Sequence, residues 1–200
     1  MDENPFMILL YLGVAAYVGR MYVEDYRARR RDPFALATLP GATAAPVYTY
    51  VAGGIGALFL LGIETFGEIK LGVVDEQSEL VWFMLFPIVA AGVVEEVIFR
   101  GYLVIDKRGR AALIVSCIGF SLLFAIIHMH LWEMEDGFKW NFTPKALFST
   151  TILFLNSLWF YIIRFSLRNS HHSIFPCMLA HAASNLGVYL VKLSQGFIVF

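Results

Sequence analysis

The chain has few charged residues for its length of 200. Asp, Glu, Lys and Arg together make up only 16% of it, whereas soluble globular domains carry about 25%. Apolar residues account for 58%, and the mean hydropathy is +0.67. This composition excludes an ordinary soluble domain and favours a helical membrane protein. The 16% of aromatic residues and the 16 glycines fit the same class.

The chain also has little net charge and few cysteines. The formal net charge is −1, so no extended basic surface is present to bind nucleic acid, and we expect no such partner. The two cysteines, Cys117 and Cys177, both lie in apolar runs. We interpret them as small buried side chains rather than as a disulfide or a pair of metal ligands.

Six apolar stretches are long enough to cross a bilayer, which takes about 20 helical residues. They are Pro5–Val23, Pro46–Phe66, Leu80–Ile105, Ala111–Leu131, Lys145–Phe165 and Ser173–Leu193. The sequence therefore predicts an all-α polytopic transmembrane bundle of about six spans around a polar cavity. Residues 1–45 form an N-terminal helix and a basic loop, Glu24–Ala45, and residues 46–200 form the core.

The loops between these spans differ in charge. Three are basic ("EDYRARRRD", "DKRGR" and "RFSLRNSHH"), and two are mostly acidic ("ETFGEIKLGVVDEQSE" and "WEMEDGFKWN"). The two kinds alternate along the chain, as six spans require. Since positive charge favours the cytoplasmic side, we expect the basic loops in the cytoplasm and both termini outside. The predicted location is the inner membrane of a bacterium or archaeon.

Several ionisable side chains fall inside the apolar spans, where each is costly and is a functional candidate by default. Glu95, Glu96 and Arg100 lie in the third span. Glu96 and Arg100 are four residues apart, so they share a helix face and can form an ion pair. Glu95 is rotated by about 100° from Glu96 and is expected to face a different partner across the bundle.

Three further polar residues are expected at a similar depth. His128 lies near the end of the fourth span, and His181 and Asn185 lie four residues apart in the sixth. Glu95 and His128 flank the tip of the hairpin at Arg110 at comparable distances, about 1.5 Å per residue, so both reach mid-membrane. A Glu–His pair can deprotonate water, and a second His with an Asn can stabilise the oxyanion that forms. The pattern predicts hydrolysis of a peptide bond by activated water.

The same residues carry a resemblance to a known family. "EEVIFR" (Glu95–Arg100), "FAIIH" (Phe124–His128) and "HAASN" (His181–Asn185) resemble the EExxxR, FxxxH and HxxxN motifs of the CAAX-protease and bacteriocin-processing (CPBP, or ABI) family of intramembrane glutamic endopeptidases. The resemblance extends from about Leu80 to Leu193. It implies that Glu95 is the general base, that His128 is its partner, and that His181 and Asn185 stabilise the oxyanion. Glu96 and Arg100 would be the supporting pair.

The resemblance also implies the kind of substrate, a membrane-anchored or lipidated protein that is cleaved near its C-terminus in the bilayer. Whether that protein is prenylated or ends in a C-terminal sorting helix stays open. No cofactor is expected; zinc held by Glu95, His128 and His181 is the alternative, although no HExxH motif is present.

Two other functions use the same residues without peptide hydrolysis. The polar cluster can hold the helices of a non-catalytic membrane scaffold or immunity protein together. A transporter or proton relay also places carboxylates and histidines in the membrane, although the chain has no obvious inverted repeat.

Overall fold

The structure, a computed structural model, describes residues 4–32, 34–134 and 137–200. The helices are α1 (Pro5–Arg31), α2 (Val47–Leu71), α3 (Leu85–Glu96), α4 (Arg110–Ile127), α5 (Pro144–Phe165) and α6 (Phe175–Gln195). Four two-residue strands are β1 (Leu80–Val81), β2 (Trp132–Glu133), β3 (Lys139–Trp140) and β4 (Ile198–Val199). Strand β1 pairs with β4 in parallel, and β2 pairs with β3 in antiparallel orientation. The predicted all-α polytopic bundle is confirmed.

Five segments of the described residues are long and apolar enough to cross a membrane. They are Pro5–Arg31, Val47–Leu71, Trp82–Leu103, Arg110–Ile127 and Pro144–Phe165. The remaining helix, α6, packs against α2, α3 and α5. It is less apolar because its inward face carries His181, Ser184 and Asn185. Helix α6 therefore supplies polar groups to the interior of the bundle.

Two helices extend further than the apolar runs predict. Helix α1 continues through Arg29, Arg30 and Arg31, which lie in its last turn. Their positive charges interact favourably with the negative, C-terminal end of the helix dipole. The predicted loop Glu24–Ala45 is therefore helical over its first eight residues. Helix α2 continues to Leu71 and ends at Gly72, which has a positive φ of 68°. As a result, part of the predicted acidic loop belongs to the helix.

The motif-bearing segment changes its helical form within the motif. Helix α3 ends at Glu96, and Val97–Leu103 continues as a π-helix. This form is rare in proteins overall, and where it occurs it is often at a functional site. Gly92 brings α3 close to α6, since a Cβ there would lie 3.1 Å from the Ala182 nitrogen and the Met178 oxygen. This close approach places the end of α3 beside His181.

The bundle has two distinct ends. The acidic-loop face consists of residues 72–84, 128–143 and 196–200; Glu135 and Asp136 of its second loop lie outside the described residues. The basic-loop face consists of residues 32, 34–46, 104–109 and 166–174. There the segment before α2 folds over the turn before α6, as the Ile174 nitrogen donates to the Gly41 oxygen at 3.0 Å and the Ser173 hydroxyl donates to the Thr43 oxygen at 2.6 Å.

Candidate active site

Glu96 is the centre of a buried charge cluster. Its Oε1 lies 3.1 Å from the Arg100 guanidinium, and both side chains are fully buried. The same oxygen lies 2.8 Å from Nδ1 of His181, which comes from α6. Because a carboxylate only accepts, His181 donates its Nδ1 hydrogen to Glu96. The ion pair predicted from the four-residue spacing is present, and it fixes the orientation of a histidine on another helix.

Glu95 faces the other side of the same imidazole. Its Oε2 lies 3.8 Å from Nε2 of His181 and has no hydrogen-bond partner among the described residues. In neutral His181 with Nδ1 protonated, Nε2 is an acceptor, so two acceptors face each other. Such a pair needs a shared proton or a water molecule that donates to both. Glu95 and Glu96 therefore share His181 as a partner, with one carboxylate at each ring nitrogen.

Arg100 ties the motif to the rest of the bundle. It donates to the Ser157 oxygen at 3.0 Å and to the Ser157 hydroxyl at 2.7 Å, and that hydroxyl donates to Ser121 at 3.0 Å. Four aromatic rings surround its guanidinium at 4.9–5.8 Å from their centroids: Phe99, Phe124, Phe160 and Tyr161. Aromatic faces attract a cation. Burial of this charge is therefore offset by one carboxylate, a serine and a ring of aromatic faces.

His181 is also held by stacking. The Phe160 ring lies nearly parallel to it, with centroids 5.0 Å apart and an interplanar angle of 17°. The Phe124 ring meets it edge-on at 6.1 Å. With Nδ1 bonded and one face covered, the ring of His181 has a single fixed orientation, and its Nε2 points toward Glu95.

His128 lies at the end of α4 but has a different contact from the one predicted. Its Nδ1 lies 2.6 Å from the Phe124 oxygen, and its ring packs on the Phe124 ring at 4.5 Å. Since a carbonyl only accepts, Nδ1 carries the hydrogen, and Nε2 is left available. Among the described residues, the carboxylate contacts fall to His181 and not to His128. In the structure Glu95 therefore contacts His181, whereas His128 bonds to a carbonyl of its own helix.

Asn185 lies one turn beyond His181 on α6. One hydrogen of its side-chain amide is donated to the Ile88 oxygen on α3 at 2.8 Å. An amide NH₂ group has two hydrogens, so the second is available to a ligand. The bond to Ile88 sets the direction of the amide and adds a further link between α3 and α6.

All four predicted catalytic residues line one cavity of about 590 Å³, together with side chains from α2 and α5. Glu95 is 26% exposed, whereas Glu96 is fully buried. The two carboxylates therefore differ in access to the cavity: Glu95 can reach a bound water or substrate, and Glu96 and Arg100 lie behind it.

Further polar residues that the motifs did not indicate line this cavity. Among them are Glu64 and Glu68 on α2, Lys145 and Asn156 on α5, and Ser184 and Lys192 on α6. The Asn156 amide donates to the Ser184 hydroxyl at 3.3 Å, and its Oδ1 is buried without a hydrogen-bond partner among the described residues. The polar pair Asn156–Ser157 inside the apolar run of α5 was the available signal.

The described residues contain no group of three or more His, Cys, Asp or Glu side chains arranged to hold a metal ion. Although Glu95, His128 and His181 line the same cavity, His181 directs one nitrogen to each carboxylate, and His128 uses Nδ1 on a carbonyl. The His181 ring would have to leave both carboxylates for a zinc ion to bind there, so this arrangement does not fit a zinc site. Cys117 and Cys177 are free thiols; Cys177 is buried, as predicted, whereas Cys117 is only partly buried.

Comparison with known proteins gives a family match over the part of the chain that contains these residues. The family model for type II CAAX prenyl endopeptidases, Rce1-like, matches residues 77–187, which contain all three motifs. No curated protein and no solved structure shows a significant match to the chain. The matched range covers more than half of the chain and includes α3–α5 and most of α6, and with them all four candidate catalytic residues.

Proposed function

The chain belongs to the Rce1-like family of CAAX-type intramembrane proteases, and on that premise we propose that it is an endopeptidase acting on a membrane-anchored or lipidated protein near its C-terminus. The observation that carries the proposal is the Glu95–His181 pair, which faces a cavity and is held from behind by Glu96 and Arg100. If the cluster were only a structural ion pair, Glu96 and Arg100 would be sufficient, and Glu95 would have no function.

In the proposed mechanism, Glu95 takes a proton from a water molecule that attacks the carbonyl carbon of the substrate. That proton joins the Glu95–His181 pair and then passes to the nitrogen of the leaving amine as the peptide bond breaks. General bases of this kind typically contribute 10²–10⁴-fold to a rate. The products are a carboxylic acid and an amine, and no covalent enzyme intermediate forms.

The oxyanion formed by this attack needs hydrogen-bond donors. The second amide hydrogen of Asn185 and Nε2 of His128, when protonated, are the donors that the cavity offers. Donors that are already oriented stabilise a developing charge effectively, because they need little rearrangement. This assignment exchanges the roles expected for the two histidines: His181 acts with Glu95, and His128 acts on the oxyanion.

The proposed function is tested with purified protein in proteoliposomes that also contain tagged reporter proteins. One reporter carries a prenylated C-terminal cysteine motif, and the other ends in an apolar helix followed by basic residues. We expect one reporter to be cut once near its C-terminus, and mass spectrometry of both fragments identifies the bond. If folded protein cuts neither reporter in either orientation, the proposed function is wrong.

We expect this cleavage not to depend on a metal ion, since the residues form carboxylate–histidine contacts that leave no ligand set. Activity should be unchanged, within about twofold, after exhaustive treatment with EDTA and 1,10-phenanthroline. Elemental analysis of the same sample provides the control. Stoichiometric zinc together with chelator-sensitive cleavage would contradict the glutamate mechanism.

A further inference from the structure

We propose that the catalytic cavity is entered from the extracytoplasmic side, so that the substrate is an unfolded polypeptide segment exposed on that side of the membrane. What happens to this segment rests on the proposed function. The direction of access does not, because it follows from the shape of the cavity and the distribution of charge.

The cavity opens at the acidic-loop face. Beyond the catalytic residues its walls continue to Glu76–Ser78 after α2 and to Met129 and His130 after α4. They also include Asn141, Thr143 and Lys145 at the start of α5. All three segments lie at the same end of the bundle. Among the described residues that line the cavity, none belongs to the loops of the basic-loop face.

The opposite end is closed by packed atoms. Phe160 and His181 form the inner end of the cavity, and Arg100, Ile163 and Ile174 beyond them are fully buried. Residues 39–43 cover this layer, with Leu39 and Ala42 buried in the core. Access from the basic-loop face would require this cover and its hydrogen bonds to Ser173 and Ile174 to open.

Charge distribution assigns the two ends to sides of the membrane. The basic-loop face and the helix ends beside it carry nine of the 15 lysines and arginines, including four arginines within Arg27–Arg31. The acidic-loop face and its helix ends carry four, all lysines. The excess of positive charge places the basic-loop face in the cytoplasm, and the cavity mouth therefore faces outward.

The chemistry of the mouth favours a peptide over an acyl chain. Glu64, Glu68, Lys145 and Lys192 all line the cavity. Lys145 Nζ is buried and has no hydrogen-bond partner among the described residues, so it is a donor available to a ligand in the cavity. Gln77 donates to Glu68 at 2.7 Å, which keeps that carboxylate within the wall. A cavity lined by both acidic and basic side chains hydrates readily and offers hydrogen bonds to a polypeptide backbone.

The depth of the cavity indicates how much chain enters. Lys192 at the mouth and His181 at the inner end are 11 residues apart on α6, or roughly 16 Å at 1.5 Å per residue. An extended chain spans this depth with about five residues at 3.3 Å each. A folded domain cannot reach Glu95, so the inferred substrate is an extended tail or linker outside the cytoplasm.

Cysteine accessibility tests this inference without requiring cleavage. In a variant with Cys117 and Cys177 replaced by alanine, a single cysteine is introduced as Ser78→Cys at the mouth, Ser149→Cys on the cavity wall, or Ser170→Cys on the basic-loop face. Each is exposed to a small membrane-impermeant methanethiosulfonate, in intact cells and in inverted vesicles. Labelling is measured by the mass shift or by blocking of a later maleimide reaction.

We expect the cysteines at positions 78 and 149 to react in intact cells, and the one at position 170 to react only in inverted vesicles. Labelling of position 149 only in inverted vesicles would overturn the inference. So would its failure to react in intact cells while position 78 does. If the labelling pattern is as expected but no reporter is cleaved, the proposed function is wrong and the direction of access still holds.

Discussion

Replacing Glu95 by glutamine should reduce peptide cleavage by at least about 10³-fold, within the range that a general base contributes. Glutamine keeps the size of the side chain but cannot accept a proton from water at neutral pH. The fold should survive, since Glu95 is partly exposed to the cavity and its Oε2 has no hydrogen-bond partner among the described residues to lose. Cleavage of a reporter by purified protein in proteoliposomes measures the effect.

The matched control for this change is Glu79→Gln. Glu79 is an exposed carboxylate at the same end of the bundle, and the cavity is not lined by it. Its variant should cleave at the wild-type rate. If Glu95→Gln retains more than about a tenth of the wild-type rate, Glu95 is not the base, and the cavity must activate water in another way.

Replacing Arg100 by methionine should cause the largest loss of stability, about 3–5 kcal/mol, as expected when one partner of a buried ion pair is removed. Glu96 would keep its buried charge with only His181 as a partner. Arg100 also links the π-helical segment to α5 through Ser157, so the position of Glu95 should be lost with the ion pair. Unfolding in mixed micelles with increasing SDS measures the change.

The double variant Arg100→Met/Glu96→Gln separates charge from packing. Removing both charges should restore part of the lost stability, because no carboxylate is then buried without its cation. Arg110→Met, at an exposed arginine at the start of α4, serves as the control and should be neutral within about 0.5 kcal/mol. If Arg100→Met is as stable as this control, the ion pair does not hold the site together.

The ion pair and the bundle were predictable because they depend on local spacing. Residues four apart on a helix face meet wherever the helix is placed, so Glu96 and Arg100 could be paired from sequence alone. Apolar run length likewise predicts helices that cross a bilayer. The alternation of loop charge can also be read from the sequence. Only the structure shows that the cavity reaches the end of the bundle formed by the acidic loops.

The partner of Glu95 was not predictable in the same way. Depth alone allowed either His128 or His181, and counting residues from the hairpin tip favoured His128. The choice depends on tertiary contacts: Gly92 lets α3 approach the α6 backbone, and Asn185 bonds to Ile88 across the same contact. His128 is meanwhile held by a carbonyl of its own helix. None of these contacts follows from the motifs.

The polar mouth of the cavity was missed because of a helix boundary. Glu64 and Glu68 stand where the apolar run becomes charged, which favours a loop. The helix instead continues to Gly72, and its last turns direct both carboxylates into the cavity. Lys145 begins the predicted fifth span and Lys192 lies near the end of the predicted sixth, and no motif includes either residue. Only the assembled bundle brings these four side chains to one opening.

The claim that Glu95 and His181 act as one unit is tested most directly by a double-mutant cycle on the cleavage rate. Residues that act together in a mechanism lose activity non-additively. We predict that Glu95→Gln and His181→Gln each reduce the rate by about 10³-fold, and that the double variant is no slower than the slower single variant. Losses that multiply in the double variant would contradict the account, as would non-additivity of Glu95→Gln with His128→Gln instead.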